Sequence, residues 1–451
     1  MSDIHGKPIG ERIDWLFQLA HRHGNTFRSP EAWLARGRYL AEHPTAIVVL
    51  KCMDGRINIP AATNTPTGIL MPFRNLGGIF DLGWPHLGEV LSHHVLRMTN
   101  TGRRVLVLIT YHWSRGNPLR GCAGFQFDTT AAIAHTHEIR RQVEHIFGSA
   151  HGTVYPLVCG FETDNEALMI HGTDNTVLDL AGFSASDAAT LEPRLATLLP
   201  DMQTQMRADL LPLLHGNLEH IAQVREQARR NERTLDVEHR EWMICLGRGF
   251  DFLHTPNVAL IIGPYSPDLA DPLRKAAGII ENNMNAGRIP DDGFLLLASV
   301  PDDEIGVDRA RAELKSQFLS RFAAGVLRDE FGSLAEIECW RSVFADDEVG
   351  RGDRQGFGYA PLTRQWLVEH AVDQAAEIPL CGIDELRAWR VGWRFVEDDS
   401  EFDDDLAVGR NDREVVERQY AIDLGERMRD RCPCVLPVGD VTEIGKVGAG
   451  R

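Results

Sequence analysis

Short apolar runs alternate with polar stretches along the first third of the chain. Residues 46–50 form one β-branched run and residues 105–111 form another, each followed by polar or turn residues. Runs of this kind predict buried strands of a parallel sheet. Between them, apolar residues recur at helical spacing, at Leu87, Val90, Leu91, Val95 and Met98. A strand, a helix and a strand in this order predict a βαβ unit of an α/β fold.

Two further segments have helical patterns. Residues 1–45 predict two short helices, and Ser29 followed by Pro30 is typical of the capped start of the second one. Residues 202–242 are rich in Arg and Glu and predict a helix that bridges the two halves of the chain.

Reactive side chains follow both predicted strands. Cys52, Asp54 and Arg56 come directly after the first strand. His112 ends the second strand, and Cys122 follows it after the loop 113–121. Because ligands of open α/β sheets bind beyond the carboxyl ends of the strands, we expect these side chains at one site.

Two thiols and an imidazole form a donor set that suits zinc. Three protein ligands also leave a fourth position open, where a bound water has its pKa lowered from about 15.7 to about 7. Each residue alone has a plainer interpretation, as a core thiol, a core histidine, a loop thiol or half of a surface ion pair. Together they favour a catalytic zinc site formed by Cys52, His112 and Cys122.

The same residues resemble those of the β-class carbonic anhydrases. That family has Cys-x-Asp-x-Arg after one strand and a His and a Cys after the next, and residues 74–78 are similar to its Arg-Asn-Ala-Gly motif. Nine residues separate His112 from Cys122, whereas the ordinary β class has two. A long loop at this point is a mark of the carboxysome shell carbonic anhydrases, the subclass that the chain resembles most.

The resemblance implies roles for five residues. Cys52, His112 and Cys122 would hold one Zn²⁺ per chain, and Asp54 would accept a hydrogen bond from the zinc-bound hydroxide. Arg56 would anchor Asp54 and keep it ionised, since a neighbouring guanidinium lowers a carboxyl pKa by about 1 to 3 units. The implied reaction is the reversible hydration of carbon dioxide to bicarbonate.

The resemblance also implies two tandem β-carbonic-anhydrase-like α/β domains, the second of them degenerate. The expected boundaries are 1–45 for an N-terminal helical segment, 46–242 for the catalytic zinc domain with its bridging helix, and 243–451 for the degenerate domain. A fused second copy would serve as a built-in partner and make the chain a pseudo-dimer.

Apolar runs in the second half support this expectation. Residues 257–262 repeat the character of the first strand, 294–300 that of the second, and 336–340 that of residues 154–160. On this alignment Pro264 takes the place of Cys52 and Asp268 that of Arg56. Because no His or Cys follows the second strand, we expect no second zinc site.

Composition limits the functional classes. The formal net charge of −18 argues against binding to nucleic acid or to an anionic membrane. There is no apolar run near eighteen residues and no pattern of a secretory signal, so we expect a cytoplasmic protein. The resemblance adds the carboxysome as an alternative location, contact with its shell or with Rubisco, and a homo-oligomer.

Two other functions stay open on sequence grounds. The same zinc site could hydrolyse carbon disulfide or carbonyl sulfide, as relatives of the β class do. The chain could instead be a structural protein of the carboxysome shell, although only about 45 residues precede its first predicted strand. Three minor features also have more than one interpretation. Arg115 and Arg120 form an anion site or pair with acidic residues. The histidines His86, His93 and His94 form a proton relay or belong to the helix surface or its packing, and Cys432 with Cys434 forms a redox pair, a metal clip or thiols without a role.

Overall fold

A computed structural model gives the fold of the chain. It describes residues 3–27, 29–174, 176–183, 185–230, 237–247, 257–300, 307–330, 341–342 and 368–369. The apolar run at 336–340 and the segments 343–367 and 370–451, which include Cys432 and Cys434, lie outside these residues.

Nine helices and eleven strands are present within this described part of the chain. The helices are α1 (Ile9–Phe27), α2 (Pro30–Glu42), α3 (Ile59–Ala62), α4 (Pro85–Asn100), α5 (Thr129–Phe147), α6 (Leu191–Leu198), α7 (Thr204–Arg229), α8 (Ala270–Asn285) and α9 (Val307–Glu330). The strands are β1 (Ala46–Cys52), β2 (Leu70–Asn75), β3 (Val105–Trp113), β4 (Val154–Glu162), β5 (Ala167–His171), β6 (Val177–Asp179), β7 (Met243–Gly247), β8 (Ala259–Ile262), β9 (Leu295–Ser299), β10 (Arg341–Ser342) and β11 (Val368–Glu369).

The first sheet has the strand order β2-β1-β3-β4-β5-β6. Its first four strands are parallel, and β5 and β6 add antiparallel to one side. Strands β1 and β4 are buried along their whole length, because parallel strands are covered by helices on both faces. The α/β fold with a parallel core and flanking helices is therefore as the sequence predicts.

The two faces of this sheet have separate apolar cores. On one face, residues of α4 and α5 such as Leu91 and Ile139 pack against Val48 and Val107. On the other face, residues of α1 and α7 pack with Val49 and Leu108 in a larger core that continues into the second half of the chain. Cys52 and Cys122 belong to this larger core.

The strand β2 was absent from the pattern-based prediction. It carries Pro72 and ends in Arg74 and Asn75, which argue against a strand when taken alone. In the structure β2 is the edge strand of its sheet, where a missing backbone N–H costs no ladder hydrogen bond. The helix α4 thus connects β2 to β3, not β1 to β3.

The N-terminal prediction is confirmed in outline. Both helices form, and the hydroxyl of Ser29 accepts a hydrogen bond from the backbone N–H of Ala32 at the start of α2. A helix also forms within the predicted bridging segment. It is α7, which ends at Arg229, well before the predicted end at residue 242 and the start of β7 at Met243.

A second sheet of three parallel strands follows, with the order β8-β7-β9. This order matches β2-β1-β3, and α8 precedes β9 as α4 precedes β3. On this correspondence β8 takes the place of β2, not that of the first strand. The expected alignment of Pro264 with Cys52 and of Asp268 with Arg56 is therefore wrong, because the unrecognised strand β7 shifts it by one strand.

The two sheets meet at their edge strands. The backbone N–H of Gly263, just after β8, donates to the carbonyl of Arg74 at 2.8 Å. The N–H of Ile261 donates to the carbonyl of Met53 at 2.9 Å, and that of Asn257 to the carbonyl of Gly55 at 3.1 Å. The chain just after β1 is thus held by backbone groups of the second half. Among the described helices, none is both long enough and apolar enough to cross a membrane.

Candidate metal centre

Three predicted ligands come together at the carboxyl ends of two neighbouring strands. Cys52 is the last residue of β1, His112 lies one residue before the end of β3, and Cys122 precedes a short turn at 123–125. The strands are parallel and adjacent, with Leu50 paired to Ile109, so their ends meet. The two Sγ atoms and a ring nitrogen of His112 lie within 4.8 Å of one another, and all three residues are buried.

The donor set fits a zinc ion. Buried polar atoms are almost always hydrogen-bonded, yet neither ring nitrogen of His112 has a hydrogen-bond partner among the described residues. This imidazole lies beside two thiols, which with it are the common ligands of zinc. Three ligands leave one coordination position open, as catalytic zinc sites require.

The two thiols affect each other's protonation. A hydrogen bond to Cys122, together with burial, raises the pKa of Cys52 well above its usual value. The same hydrogen bond lowers the pKa of Cys122. Zinc binds cysteine as the thiolate, so uptake of a metal ion must release the protons that the two thiols carry.

Asp54 and Arg56 form a buried ion pair beside the three ligands. Nε of Arg56 donates to Oδ1 of Asp54 at 3.0 Å and Nη2 donates to Oδ2 at 2.6 Å. The backbone N–H of Arg56 also donates to Oδ1, at 2.9 Å. Oδ2 lies 3.8 Å from Nε2 of His112, so the carboxylate is next to the ligand set.

This environment keeps Asp54 ionised. Burial alone would raise the pKa of Asp54, but the positive charge of Arg56 and its hydrogen bond to the carboxylate lower it below its ordinary value. The pKa of Arg56 is raised in turn, since attraction to Asp54 outweighs the burial of the guanidinium. The expectation that the two residues form a charged pair agrees with this geometry.

A second guanidinium fixes the backbone of the same turn. Arg74 donates hydrogen bonds to the carbonyls of Cys52 at 3.2 Å, Asp54 at 2.9 Å and Ile57 at 3.0 Å. The motif at residues 74–78 by itself gives no physical role for Arg74. The structure shows that Arg74 connects β2 to the turn that carries the ion pair.

The glycines of the same motif allow two turns to touch. Gly77 and Gly78 have φ of 69° and 66°, a left-handed conformation that favours glycine. A Cβ at Gly124, in the turn after Cys122, would lie 2.7 Å from the Cα of Gly77. Backbone contact at this point places the Cys122 segment against the segment that follows β2.

The loop 113–121 is tied down by ion pairs. Arg115 contacts Asp179, and Nε of Arg120 donates to Glu238 at 2.6 Å. The carbonyl of Arg120 accepts a hydrogen bond from Nη2 of Arg56 at 3.0 Å. Both arginines thus have acidic partners, which was the alternative to an anion site.

Two site residues escaped the sequence analysis. His239 and Glu241 precede β7, and their side chains lie with that of Asp54 in a cluster of atoms within 4.8 Å of one another. They sit in a charged segment, residues 237–241, that was predicted to be part of a helix. No local pattern distinguishes them, because their partners are more than 180 residues away.

The remaining predicted relay residues lie elsewhere. His86, His93 and His94 are on α4, whose apolar residues pack on the face of the sheet opposite to the core that contains Cys52. His86 stacks on Tyr265, with ring centroids 6.0 Å apart. Helix packing, the alternative to a proton relay, agrees with these positions.

Comparison with known families supports the subclass that the sequence resembles. Residues 46–189 match the family model described as the carboxysome shell carbonic anhydrase catalytic domain. The match covers the first sheet and the three metal-ligand candidates, and it excludes His239 and Glu241. A search of curated proteins found no match.

Proposed function

Because residues 46–189 match the family model of the carboxysome shell carbonic anhydrase catalytic domain, we propose that the chain catalyses the reversible hydration of carbon dioxide to bicarbonate. One zinc ion would be held by Cys52, His112 and Cys122. The observation that carries this proposal is the buried triad of ligands beside an ionised Asp54.

Asp54 and Arg56 orient the nucleophile of the reaction. A zinc ion at this site would lower the pKa of water to about 7, which makes hydroxide available as a nucleophile at neutral pH. Asp54 can only accept hydrogen bonds when ionised, so it accepts one from the nucleophile and directs a lone pair toward the carbon of carbon dioxide. Arg56 holds both carboxylate oxygens and thereby fixes this orientation.

The acceptor atom of Asp54 has capacity for this role. Each carboxylate oxygen can accept about two hydrogen bonds. Oδ1 already accepts two from Arg56, whereas Oδ2 accepts one, from Nη2. Oδ2 is also the oxygen close to His112, so we assign it as the acceptor for the nucleophile.

For the domains we propose the boundaries 1–45, 46–242 and 243–451, with the last a degenerate copy of the catalytic domain. The shared strand order of the two sheets supports this. Among the residues described in the second half, no set of metal-ligand side chains forms apart from the one that includes Asp54. A backbone-level superposition of an experimental structure, with β7 placed on β1, tests the proposal.

We propose carbon dioxide and bicarbonate as the small-molecule partners. The family name supports location in a carboxysome, with contact to the shell or to Rubisco, and assembly into a homo-oligomer is a further proposal. Co-purification with carboxysomes of a cell that makes both tests the location. Recovery of the protein only in the free cytoplasmic fraction would count against it.

The test of the activity combines turnover and metal content. Stopped-flow hydration of carbon dioxide is measured for reduced, zinc-loaded wild type and for Cys52→Ala and Cys122→Ala. We expect fast turnover with one zinc per chain in the wild type, and loss of both zinc and turnover in the variants. Cys159→Ala is the matched control, since Cys159 is a buried thiol of β4 outside the triad.

Two results would contradict the proposal. A zinc-loaded wild type that does not hydrate carbon dioxide would exclude the reaction, and carbon disulfide and carbonyl sulfide would then be measured as substrates. Zinc content that survives in Cys52→Ala would exclude the ligand set.

A further inference from the structure

Two side chains from the second half of the chain contact the turn of Asp54, Gly55 and Arg56, here the catalytic turn. His239 lies just before β7, and its Nε2 is 2.9 Å from Nη2 of Arg56. Its Nδ1 lies 2.9 Å from Oε2 of Glu241 and 3.0 Å from Oε1. Both residues lie outside the segment that matches the family model.

The partners of His239 determine which nitrogen carries the proton. A guanidinium only donates hydrogen bonds, so Nε2 must accept from Arg56. An ionised carboxylate only accepts, so Nδ1 must donate to Glu241. Burial would raise the pKa of Glu241, but the hydrogen bond to His239 and the positive charge of Arg56 lower it. The arrangement therefore selects the neutral imidazole with its proton on Nδ1.

Glu241 also holds the backbone of the turn. Its Oε1 accepts a hydrogen bond from the N–H of Gly55 at 3.1 Å, between the two residues of the ion pair. The Glu241 residue is completely buried, and its carbonyl accepts a hydrogen bond from the side chain of Asn283 at 3.0 Å. Glu241 is thus anchored in the second half and contacts the catalytic turn through a fixed carboxylate.

The remaining groups around Arg56 leave its guanidinium one orientation. Nη1 donates to the carbonyl of Val237 at 3.0 Å, and Nη2 is also in reach of the carbonyl of Arg120. Nε2 of His239 lies 3.8 Å from Oδ2 of Asp54, the oxygen that accepts the hydrogen bond from Nη2. Nη2 has two hydrogens and three acceptors in reach, which are Oδ2 of Asp54, the carbonyl of Arg120 and Nε2 of His239, so its hydrogens are shared among them.

We propose that Glu241 and His239 form a positioning pair that holds Arg56 in two-point contact with Asp54, so that the second half of the chain completes the active site. Glu241 fixes the tautomer and position of His239, and His239 fixes Nη2 of Arg56. This inference rests on the proposed carbonic anhydrase function, since it assigns the pair a part in that reaction. The pair acts through Arg56 and does not touch the reacting atoms.

The experiment uses two substitutions of the same histidine in the full-length, zinc-loaded protein. In His239→Gln the amide oxygen can take the place of Nε2 and accept from Arg56. In His239→Asn the shorter amide reaches Glu241 but not Arg56. We expect kcat within about threefold of wild type for His239→Gln, and a fall of about 10- to 100-fold for His239→Asn, the range typical of groups that orient a metal site. Zinc content and KM are expected to stay unchanged in both.

A second readout does not depend on turnover. In protein labelled with ¹⁵N-arginine, the Nε–H resonance of Arg56 is assigned by its loss in Arg56→Lys, and its exchange with solvent is measured. We expect slow exchange in wild type and His239→Gln, and fast exchange in His239→Asn. Glu241→Gln, which loses charge but keeps its shape, is expected to give intermediate exchange.

Three outcomes would overturn the inference. Turnover and exchange of His239→Asn equal to those of wild type would show that Arg56 needs no support. Full recovery of His239→Asn by added imidazole would make His239 a proton carrier instead. Exchange that stays slow while kcat falls would exclude positioning of Arg56. An inactive wild type with bound zinc would contradict the proposed function alone, because the exchange measurement still reports on the pair.

Discussion

Gly55 provides the sharpest test of the contact between the two halves. It lies between Asp54 and Arg56, and a Cβ at this position would be 2.8 Å from the carbonyl oxygen of Ala259 and 2.9 Å from Cγ of Glu241. Real Cβ atoms essentially never approach heavy atoms this closely. Gly55→Ala must therefore displace either the catalytic turn or the second half.

Neither neighbour can move freely. Ala259 begins β8 and pairs with Met243 of β7, and Glu241 is completely buried. Overpacking of this kind costs about 1–3 kcal/mol of folding stability. If the turn moves instead, the hydrogen bond from Gly55 to Glu241 lengthens, and a displacement of about 1 Å at a reacting group can lower activity about 100-fold.

We expect Gly55→Ala to lose about 1–3 kcal/mol in urea unfolding, or to lose catalytic rate, or both. Unfolding is followed by circular dichroism and kcat by stopped-flow hydration of carbon dioxide. Gly278→Ala is the control, because Gly278 lies in α8 with no heavy atom within 4 Å of the new Cβ, and a gain of about 0.5–1 kcal/mol is expected there. Wild-type stability together with wild-type kcat in Gly55→Ala would refute the close contact between the halves.

Three further predictions concern the metal and the ion pair. Asp54→Asn is expected to keep zinc and to lower kcat by about 10²- to 10⁴-fold in stopped-flow assays. This is the range for a side chain that takes part in proton transfer in the reaction. Arg56→Lys replaces a two-point contact with a single one. Because the folded pKa of Asp54 lies below its unfolded value of about 3.9, the pair stabilises the fold above pH 4, and this stabilisation is lost as the pH falls through the folded pKa. The difference in unfolding free energy between wild type and Arg56→Lys should therefore be present at pH 6 and shrink below pH 4, whereas a constant difference would contradict the assignment. Free zinc at about 100 times its dissociation constant is expected to raise the free energy of unfolding by about 2.7 kcal/mol, and a chelator should remove this gain.

The closeness of two of the proposed metal ligands could be expected from local patterns. Cys52 and His112 stand at the ends of two apolar runs, and parallel strands bring their carboxyl ends together whatever the rest of the fold does. Cys122 was included for its thiol and its place in the loop after β3, although nothing in the loop 113–121 indicates that the chain returns to the site. The structure shows backbone contact between glycines as the cause of that return.

Among the strands that the sequence analysis missed, β2 and β7 were missed for different reasons. β2 contains a proline and ends in polar residues, and its place at the sheet edge makes these acceptable. β7 is only five residues long and directly follows a charged segment, so its apolar pattern was too short to separate from the predicted helix. With β7 placed on β1, as we propose, the sequence alignment of the two halves is shifted by one strand, because β7 is the central strand of its sheet.

The charged segment before β7 shows where local patterns stop being informative. Residues 238–241 have the polarity of a solvent-exposed helix, yet Glu241 is completely buried and Arg240 is 5% exposed. Buried charges persist only when paired. The partner of Arg240 is Asp3, and the partners of Glu241 are His239 and the N–H of Gly55. Since Asp3 and Gly55 come from distant parts of the chain, the local sequence does not predict that this segment is buried. The segment 46–189 therefore contains the proposed metal ligands but lacks His239 and Glu241, the pair that we propose positions Arg56.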